Sequence, residues 1–164
     1  MDDRASKDHV GRPPLDLRRA TAADADAMTR IATRSKAVWG YDAAFMARCR
    51  DELTWDAGRL RDVAAVVAVS NGEPLGFYVL GEGEAGAVEL DAMFVCPERM
   101  RRGVGRALMH DAVRRARATG APVLTIASDP HAEGFYLAMG ARRVGLVPSQ
   151  SIPGRALPRL VLEL

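Results

Sequence analysis

The chain of 164 residues contains no run of about 18 or more apolar residues, so the sequence predicts no membrane-spanning helix. The segment from Met1 to Pro14 has no apolar signal-peptide core. The chain has only two cysteines, Cys49 and Cys96, which is too few for a disulfide framework and favours a reduced, cytoplasmic protein. Its three histidines have no metal-ligand spacing with either cysteine, so we expect no metal site.

An excess of charge of one sign is also missing, since 23 basic and 21 acidic residues leave a formal net charge of +2. A nucleic-acid partner would require a concentrated basic face, and the balance argues against one. No internal repeat, linker or second domain is visible along the chain. We therefore expect a polar, flexible tail over residues 1–13 and a single domain over residues 14–164.

Two common phosphate-binding motifs are absent or incomplete. The P-loop string G-x-x-x-x-G-K-[ST] does not occur. The dinucleotide motif G-x-G-x-x-G lacks its third glycine, because Leu108 stands there after Gly103 and Gly105. A dinucleotide-dependent oxidoreductase is thereby disfavoured, although it stays open as an alternative.

Residues 86–120 carry the strongest pattern in the chain. Apolar side chains alternate with other residues over 87–94, which predicts a strand with Val88, Leu90, Ala92 and Phe94 on one face. Pro97 ends that strand, because proline cannot donate to a ladder. From Val104 onward, apolar residues recur every four positions, which predicts an amphipathic helix that stops at Thr119-Gly120.

The turn before this helix suggests a phosphate site. The first N–H groups of a helix have no helical partner, and the macrodipole makes that end partly positive. Gly103 and Gly105 allow a ligand to approach the backbone closely, and three arginines add positive charge: Arg101, Arg102 and Arg106. The alternative interpretation is a solvated loop whose arginines only maintain solubility.

The remaining segments predict a mixed α/β (α+β) fold. The string Thr21-Ala22-Ala23-Asp24 is typical of a capping box and begins a first helix, which Trp39-Gly40-Tyr41 ends. We expect a second helix from Asp42 to Leu53 and a short one over residues 131–139, with a loop over 149–158. The further predicted strands are 15–19, 63–69, 75–80, 123–127, 142–147 and 160–164. The sheet is expected to be antiparallel in its first half, with one parallel pair around a right-handed crossover.

The sequence also resembles a known family. The string Arg102-Gly103-Val104-Gly105-Arg106-Ala107 is similar to the R/Q-x-x-G-x-G/A acetyl-CoA motif of the GNAT superfamily of N-acetyltransferases. Residues 128–141 resemble the family's later Asn-x-x-A-x-x-F-Y-x-x-x-G-F segment. The resemblance covers about residues 15–164 and is strongest over 86–147. It implies a GNAT-like, mostly antiparallel central sheet with helices on both faces, whose one parallel strand pair splays to form an acyl-CoA cleft.

The same resemblance implies acetyl-CoA as co-substrate and direct transfer of the acetyl group to a primary amine, with no metal. The residues expected to bind acetyl-CoA are Phe94, Val95, Arg101, Arg102, Gly103, Val104, Gly105, Arg106, Ala107, Asp129, Phe135 and Tyr136. A backbone N–H near Met93 to Val95 is expected to meet the oxyanion. Asp129 stands where relatives often have asparagine, and we expect it to cap the following helix.

Two residues are candidates for proton transfer. Tyr136 matches the family's tyrosine and is the expected general acid, while the alternative is simple packing on a short helix. Glu89 is the candidate general base, with a solvent-facing residue as the equally weighted alternative, and Asp91 on the same strand is a weaker candidate.

The acceptor side is expected to contain Trp39, Tyr41, Glu89 and Arg155. An aromatic group beside a cationic amine can help to bind it, and we expect a small-molecule amine as acceptor. The alternatives are a peptide or protein amine and a non-catalytic acyl-CoA binding or sensing domain. The expected assembly is a monomer or a homodimer without a nucleic-acid or membrane partner.

Overall fold

The structure is a computed structural model, and it describes residues 14–164. The tail predicted over residues 1–13 lies outside the described residues. No helix among the residues from 14 onward is long and apolar enough to cross a membrane.

The described residues form seven strands in one mixed sheet, with the order β1-β2-β3-β4-β5-β7-β6. All neighbouring strands are antiparallel except β4 and β5, which are parallel as the crossover predicted. The strands are β1 Asp16–Arg19, β2 Ala64–Ser70, β3 Glu73–Glu82, β4 Val88–Val95, β5 Val123–Ala127, β6 Arg142–Pro148 and β7 Ala156–Glu163. The expected fold class is therefore confirmed.

Helices cover both faces of the sheet, because each face carries its own apolar core. On one face the core includes Leu108 and Met109 of α5 and Tyr136 of α6, packed against Leu124 and Leu160. The other core is formed with helices that precede β2 in the chain. The helices are α1 Ala25–Ala37, α2 Ala43–Arg48, α3 Arg50–Leu53, α4 Ala57–Arg61, α5 Val104–Ala118 and α6 Glu133–Ala138.

The start of α1 follows the predicted capping pattern. The Asp24 carboxylate accepts hydrogen bonds from the backbone N–H of Thr21 at 2.7 Å and from Arg18 of β1 at 2.8 Å. A short 3₁₀ turn over residues 22–24 leads into the helix. Asp42 likewise accepts from the Phe45 N–H at 2.8 Å, as expected of the residue that begins the second helix.

Two predicted segments are wrong in their bounds. The single second helix expected from Asp42 to Leu53 is divided at Cys49 into α2 and α3, and α4 was not expected. The loop expected over residues 149–158 ends early, because β7 begins at Ala156. Short helical segments gain their stability from tertiary packing rather than from local propensity, which explains why periodicity did not delimit them.

The strand β4 contains a bulge that changes which side chains face each core. Val79 of β3 pairs with Ala92, but the next residue, Leu80, pairs with Leu90, so Asp91 is the extra residue. Leu90 lies in the core on the α5 side, whereas Ala92 packs against the core on the opposite face. The prediction that the apolar residues of β4 share one face is therefore wrong, because the alternation is interrupted at Asp91.

The parallel pair β4–β5 is short. Its pairing extends only from Val88 with Leu124 to Leu90 with Ile126, although β4 continues to Val95. Beyond Leu90, the edge of β4 that faces β5 has no strand partner in the described part of the chain. This separation of the two strands gives the gap that the family resemblance implied.

Candidate functional site

A cavity of about 630 Å³ occupies the gap between β4 and β5. Its walls come from β4 beyond the paired section, from the end of β5, from the turn before α5, and from α1, α6 and the segment before β7. Cavities of this size accommodate small molecules, and their position where parallel strands separate is a common one for ligand sites.

The turn before α5 gives the cavity an anion-binding end. Gly103 precedes the helix with a φ of 87°, a left-handed conformation that favours glycine. In the first hydrogen bond of the helix, the Ala107 N–H donates to the Gly103 carbonyl at 3.0 Å. The N–H groups before Ala107 therefore have no acceptor within the helix. Arg101 and Arg106 line the cavity beside them. The arrangement favours a phosphate-bearing ligand.

Because Gly105 has no side chain, it leaves space at the anion-binding end of the cavity. A Cβ at that position would lie 3.5 Å from the Phe135 ring and 3.7 Å from Cγ2 of Val95, which is ordinary contact. A methyl group therefore fits there, while a longer side chain would have to enter the cavity.

Most of the residues expected to bind acetyl-CoA line this cavity: Phe94, Val95, Arg101, Gly103, Gly105, Arg106, Asp129, Phe135 and Tyr136. Arg102, Val104 and Ala107 do not belong to its lining. Val104 is buried in the core on the α5 face, and Arg102 is exposed.

Tyr136 is buried in α6 and lines the cavity. No hydrogen bond among the described residues uses its hydroxyl group. Burial, reinforced by the negative charge of Asp129, raises the pKa of the Tyr136 phenol above its ordinary value. The phenol is thus held in its protonated form, which can donate a hydrogen bond into the cavity.

The two carboxylates of β4 have different surroundings. Glu89 lies in the section that pairs with β5, accepts a 2.9 Å hydrogen bond from Arg159, and does not line the cavity. Asp91 is the bulged residue, lines the cavity, and packs over Gly81, where an added Cβ would lie 2.2 Å from Oδ2 of Asp91. Asp91 is exposed by surface area, but surrounding protein partly desolvates its carboxyl group. This desolvation and then the charge of Glu89 raise the pKa of the Asp91 carboxyl.

Three segments meet at the acceptor end of the cavity: those after α1, after β5 and before β7. The hydroxyl group of Tyr41 donates to Asp129 Oδ2 at 2.9 Å and accepts a 2.7 Å hydrogen bond from Arg155. Trp39 stacks on His131 with ring centroids 5.2 Å apart. Trp39, Asp129, His131 and Arg155 line the cavity, whereas Tyr41 stands behind this lining. The segment after α1 is thus joined to the segments after β5 and before β7 beside the cavity.

The Asp129 carboxylate holds Tyr41 and the turn at His131 together. It accepts hydrogen bonds from the backbone N–H of His131 at 2.9 Å and from Tyr41. Burial alone would raise the pKa of the Asp129 carboxyl, but these hydrogen bonds and nearby cations outweigh it and lower that pKa. The expectation that Asp129 caps the next helix is wrong, because Ala132 precedes α6 and Asp129 closes the turn before it.

Sequence reasoning missed Lys36 and Glu52, which also line the cavity. Lys36 follows Met28 and Ala32 at four-residue intervals on the buried side of α1, so a lysine on an apolar helix face was the available signal. Its Nζ atom lies 3.5 Å from Asp129 Oδ2 and 3.9 Å from Glu52 Oε1. Over residues 14–164, no group of three or more potential metal ligands is present.

Comparison with known proteins identifies the family. The sequence pattern of the acetyltransferase (GNAT) family matches residues 26–141. The chain belongs to this family. No curated protein sequence matches the chain significantly.

Solved structures share the fold of this GNAT protein. PaiA N-acetyltransferase from Thermoplasma acidophilum, in complex with coenzyme A, has a TM-score of 0.72 and 14% identity over 92% of this chain and 99% of that chain. A GCN5-related N-acetyltransferase from Rhodopseudomonas palustris has a TM-score of 0.76 and 23% identity over 97% and 100%. The ribosomal-protein-S18-alanine N-acetyltransferase from Escherichia coli has a TM-score of 0.66 and 17% identity over 92% and 94%.

Proposed function

We propose that this GNAT acetyltransferase transfers an acetyl group from acetyl-CoA to a primary amine of a small molecule. The observation that carries the proposal is one cavity, opened by the separation of β4 and β5, with an anion-binding turn in its lining. Loops joined by Tyr41 and Arg155 restrict another part of the same cavity.

The residues present fit acetyl-CoA. The unpaired amides at the start of α5, with Arg101 and Arg106, match its phosphates, and the exposed edge of β4 offers backbone groups to its chain. When bound, acetyl-CoA would supply the acetyl group as an activated thioester. The complex of coenzyme A with PaiA N-acetyltransferase from Thermoplasma acidophilum, which shares the fold, supports the assignment.

Two features of the chain would serve the transition state. The Cys96 N–H donates to Leu75 of β3 at 2.8 Å, and because N–H direction alternates along a strand, those of Met93 and Val95 point into the gap. They are candidates to stabilise a developing oxyanion. Tyr136, protonated and unpaired, would give its proton to the departing sulfur atom.

We propose Asp91, rather than Glu89, as the group that removes the proton of the amine. Asp91 lines the cavity, and its raised pKa makes it a better proton acceptor than an ordinary aspartate. The ion pair with Arg159 instead holds Glu89 in the paired section of β4. A base at Glu89, the initial expectation, is the alternative.

Replacing Asp91 by asparagine should lower kcat/KM by about 10²-fold, within the usual range for a positioned base. In the unmodified protein, kcat/KM should rise with pH as Asp91 loses its proton, at a pH above the ordinary aspartate range because its pKa is raised. This rise of kcat/KM with pH should be absent in the Asp91→Asn variant. Glu89→Gln is the matched comparison. The base would be Glu89 if Glu89→Gln lost more activity and Asp91→Asn kept the rise of kcat/KM with pH.

Contacts between segments at the acceptor end favour a small amine over a peptide. An extended peptide needs an open groove, whereas Trp39 stacks on His131 and Arg155 bonds to Tyr41 across this end. The test is release of CoA thiol from acetyl-CoA across amino acids, polyamines, amino sugars and short peptides. Turnover of small amines is expected, and turnover confined to peptides would contradict this acceptor class.

A further inference from the structure

The acceptor end of the cavity contains the ammonium group of Lys36, which is held by two ion pairs but by no short hydrogen bond to a described residue. The side chain of Lys36 is only 9% exposed and lines the cavity. Its two carboxylate neighbours, Asp129 and Glu52, are 3.5 and 3.9 Å away, and Nζ takes part in none of the hydrogen bonds formed within residues 14–164. An ammonium group has three donors, so Lys36 retains the capacity to bind an acceptor atom inside the cavity.

Arg155 presents a second cation to the same place. Its side chain is 18% exposed, and its Nη2 atom bonds to the Tyr41 hydroxyl at 2.7 Å and to Asp129 Oδ2 at 3.5 Å. Its Nε and Nη1 atoms donate to no other described residue. The guanidinium group therefore keeps donors at Nε and Nη1 for a further acceptor atom.

The charges at this end differ in their exposure to solvent. Lys36 and Arg155 share one well-buried carboxylate, that of Asp129, whose side chain is 15% exposed. Asp129 already accepts from the Tyr41 hydroxyl and the His131 N–H. Glu52 is 43% exposed and also binds Ser151, so solvent screens its effect on Lys36. The two cations thus share a single carboxylate that is well shielded from solvent, and an anionic ligand group would give them a second one inside the cavity.

We propose that the acceptor amine carries a carboxylate group, which Lys36 and Arg155 bind while the amine is directed to Asp91. This inference rests on the proposed acetyl transfer and adds the substrate class, an amine of the amino-acid type. The oxygen atoms of a carboxylate accept hydrogen bonds, and the Lys36 ammonium group and the remaining Arg155 donors can supply them. The same two cations repel polyamines and other acceptors that carry only positive charge.

The test compares pairs of acceptors that differ only in this group. CoA release is measured at saturating acetyl-CoA for the standard amino acids and for the corresponding amino-acid amides, with spermidine as a cationic acceptor. In the unmodified protein, the best acceptor should be an acid, with a KM about 10–100-fold below that of its amide, since bonds to a charged group are worth that range. Binding of the N-acetylated acid and N-acetylated amide, followed by calorimetry, gives a readout independent of turnover.

Variants assign the preference to residues. Lys36→Met should remove most of the acid-over-amide ratio in KM and in calorimetric affinity. Arg155→Lys keeps the positive charge but loses the planar guanidinium group, and it should reduce the acid-over-amide ratio partly. Arg142→Met removes an exposed cation of β6 and should leave the ratio unchanged.

The outcomes separate this inference from the proposed function. Turnover of amides or spermidine in preference to acids, in the unmodified protein, would overturn the carboxylate inference but not acetyl transfer. The carboxylate inference is also overturned if Lys36→Met lowers turnover of acid and amide equally, since Lys36 would then only support the fold. Absence of turnover with every amine would overturn both. The comparison in unmodified protein remains decisive even if Lys36→Met does not fold.

Discussion

Replacing Tyr136 by phenylalanine should lower kcat by about 10²–10³-fold and leave the affinity for acetyl-CoA nearly unchanged. The substitution removes only the hydroxyl group of a cavity-lining residue, and no hydrogen bond among the described residues uses that group. Burial keeps that group protonated, so its loss removes a proton donor and little packing. Steady-state kinetics and calorimetric titration with acetyl-CoA measure the two effects separately.

Tyr78→Phe is the matched control. Tyr78 is also buried and its pKa is also raised by burial, but its hydroxyl donates to Asp111 at 2.7 Å and it does not line the cavity. This variant should lose thermal stability and retain kcat. A kcat for Tyr136→Phe within twofold of the unmodified protein would assign Tyr136 to packing alone.

Replacing Gly105 by glutamate should weaken acetyl-CoA binding by about 100-fold or more, because charge-assisted hydrogen bonds are worth about 1.5–3 kcal/mol each and several would be lost. The new carboxylate would enter the cavity beside the unpaired amides of α5 and occupy the place of a phosphate. Calorimetric titration with acetyl-CoA measures the loss, and circular dichroism reports whether the variant remains folded.

Gly105→Ala separates charge from backbone effects. Its methyl group would make only ordinary contact with Phe135 and Val95, so the affinity should remain close to that of the unmodified protein. An unchanged affinity in a folded Gly105→Glu variant would show that the phosphates bind elsewhere.

Local patterns in the sequence predicted the parts of the fold that depend on local physics. The change from alternation to four-residue periodicity around Gly103 identified β4 and α5, and the Thr21–Asp24 pattern identified the start of α1. These signals arise within a few residues of chain. The family resemblance, rather than periodicity, implied that β4 and β5 separate.

The acceptor end could not be predicted in the same way, because it is made by contacts between distant segments. Arg155 meets Tyr41 across 114 positions, and Tyr41 meets Asp129 across 88. The bulge at Asp91 was also hidden, since an extra residue in a strand leaves no mark on the alternation before it. Lys36 illustrates a signal that was present but unused, a charged residue on the buried face of a helix.

The most direct test of the account follows the acetyl group itself. The protein is incubated with acetyl-CoA labelled in its acetyl group and with a mixture of amines, and mass spectrometry locates the label. We predict that the label appears on an amine nitrogen in an amount equal to the CoA released, and that Tyr136→Phe slows its appearance. Tight binding of acetyl-CoA without label on any amine would contradict acetyl transfer and indicate a binding or sensing domain.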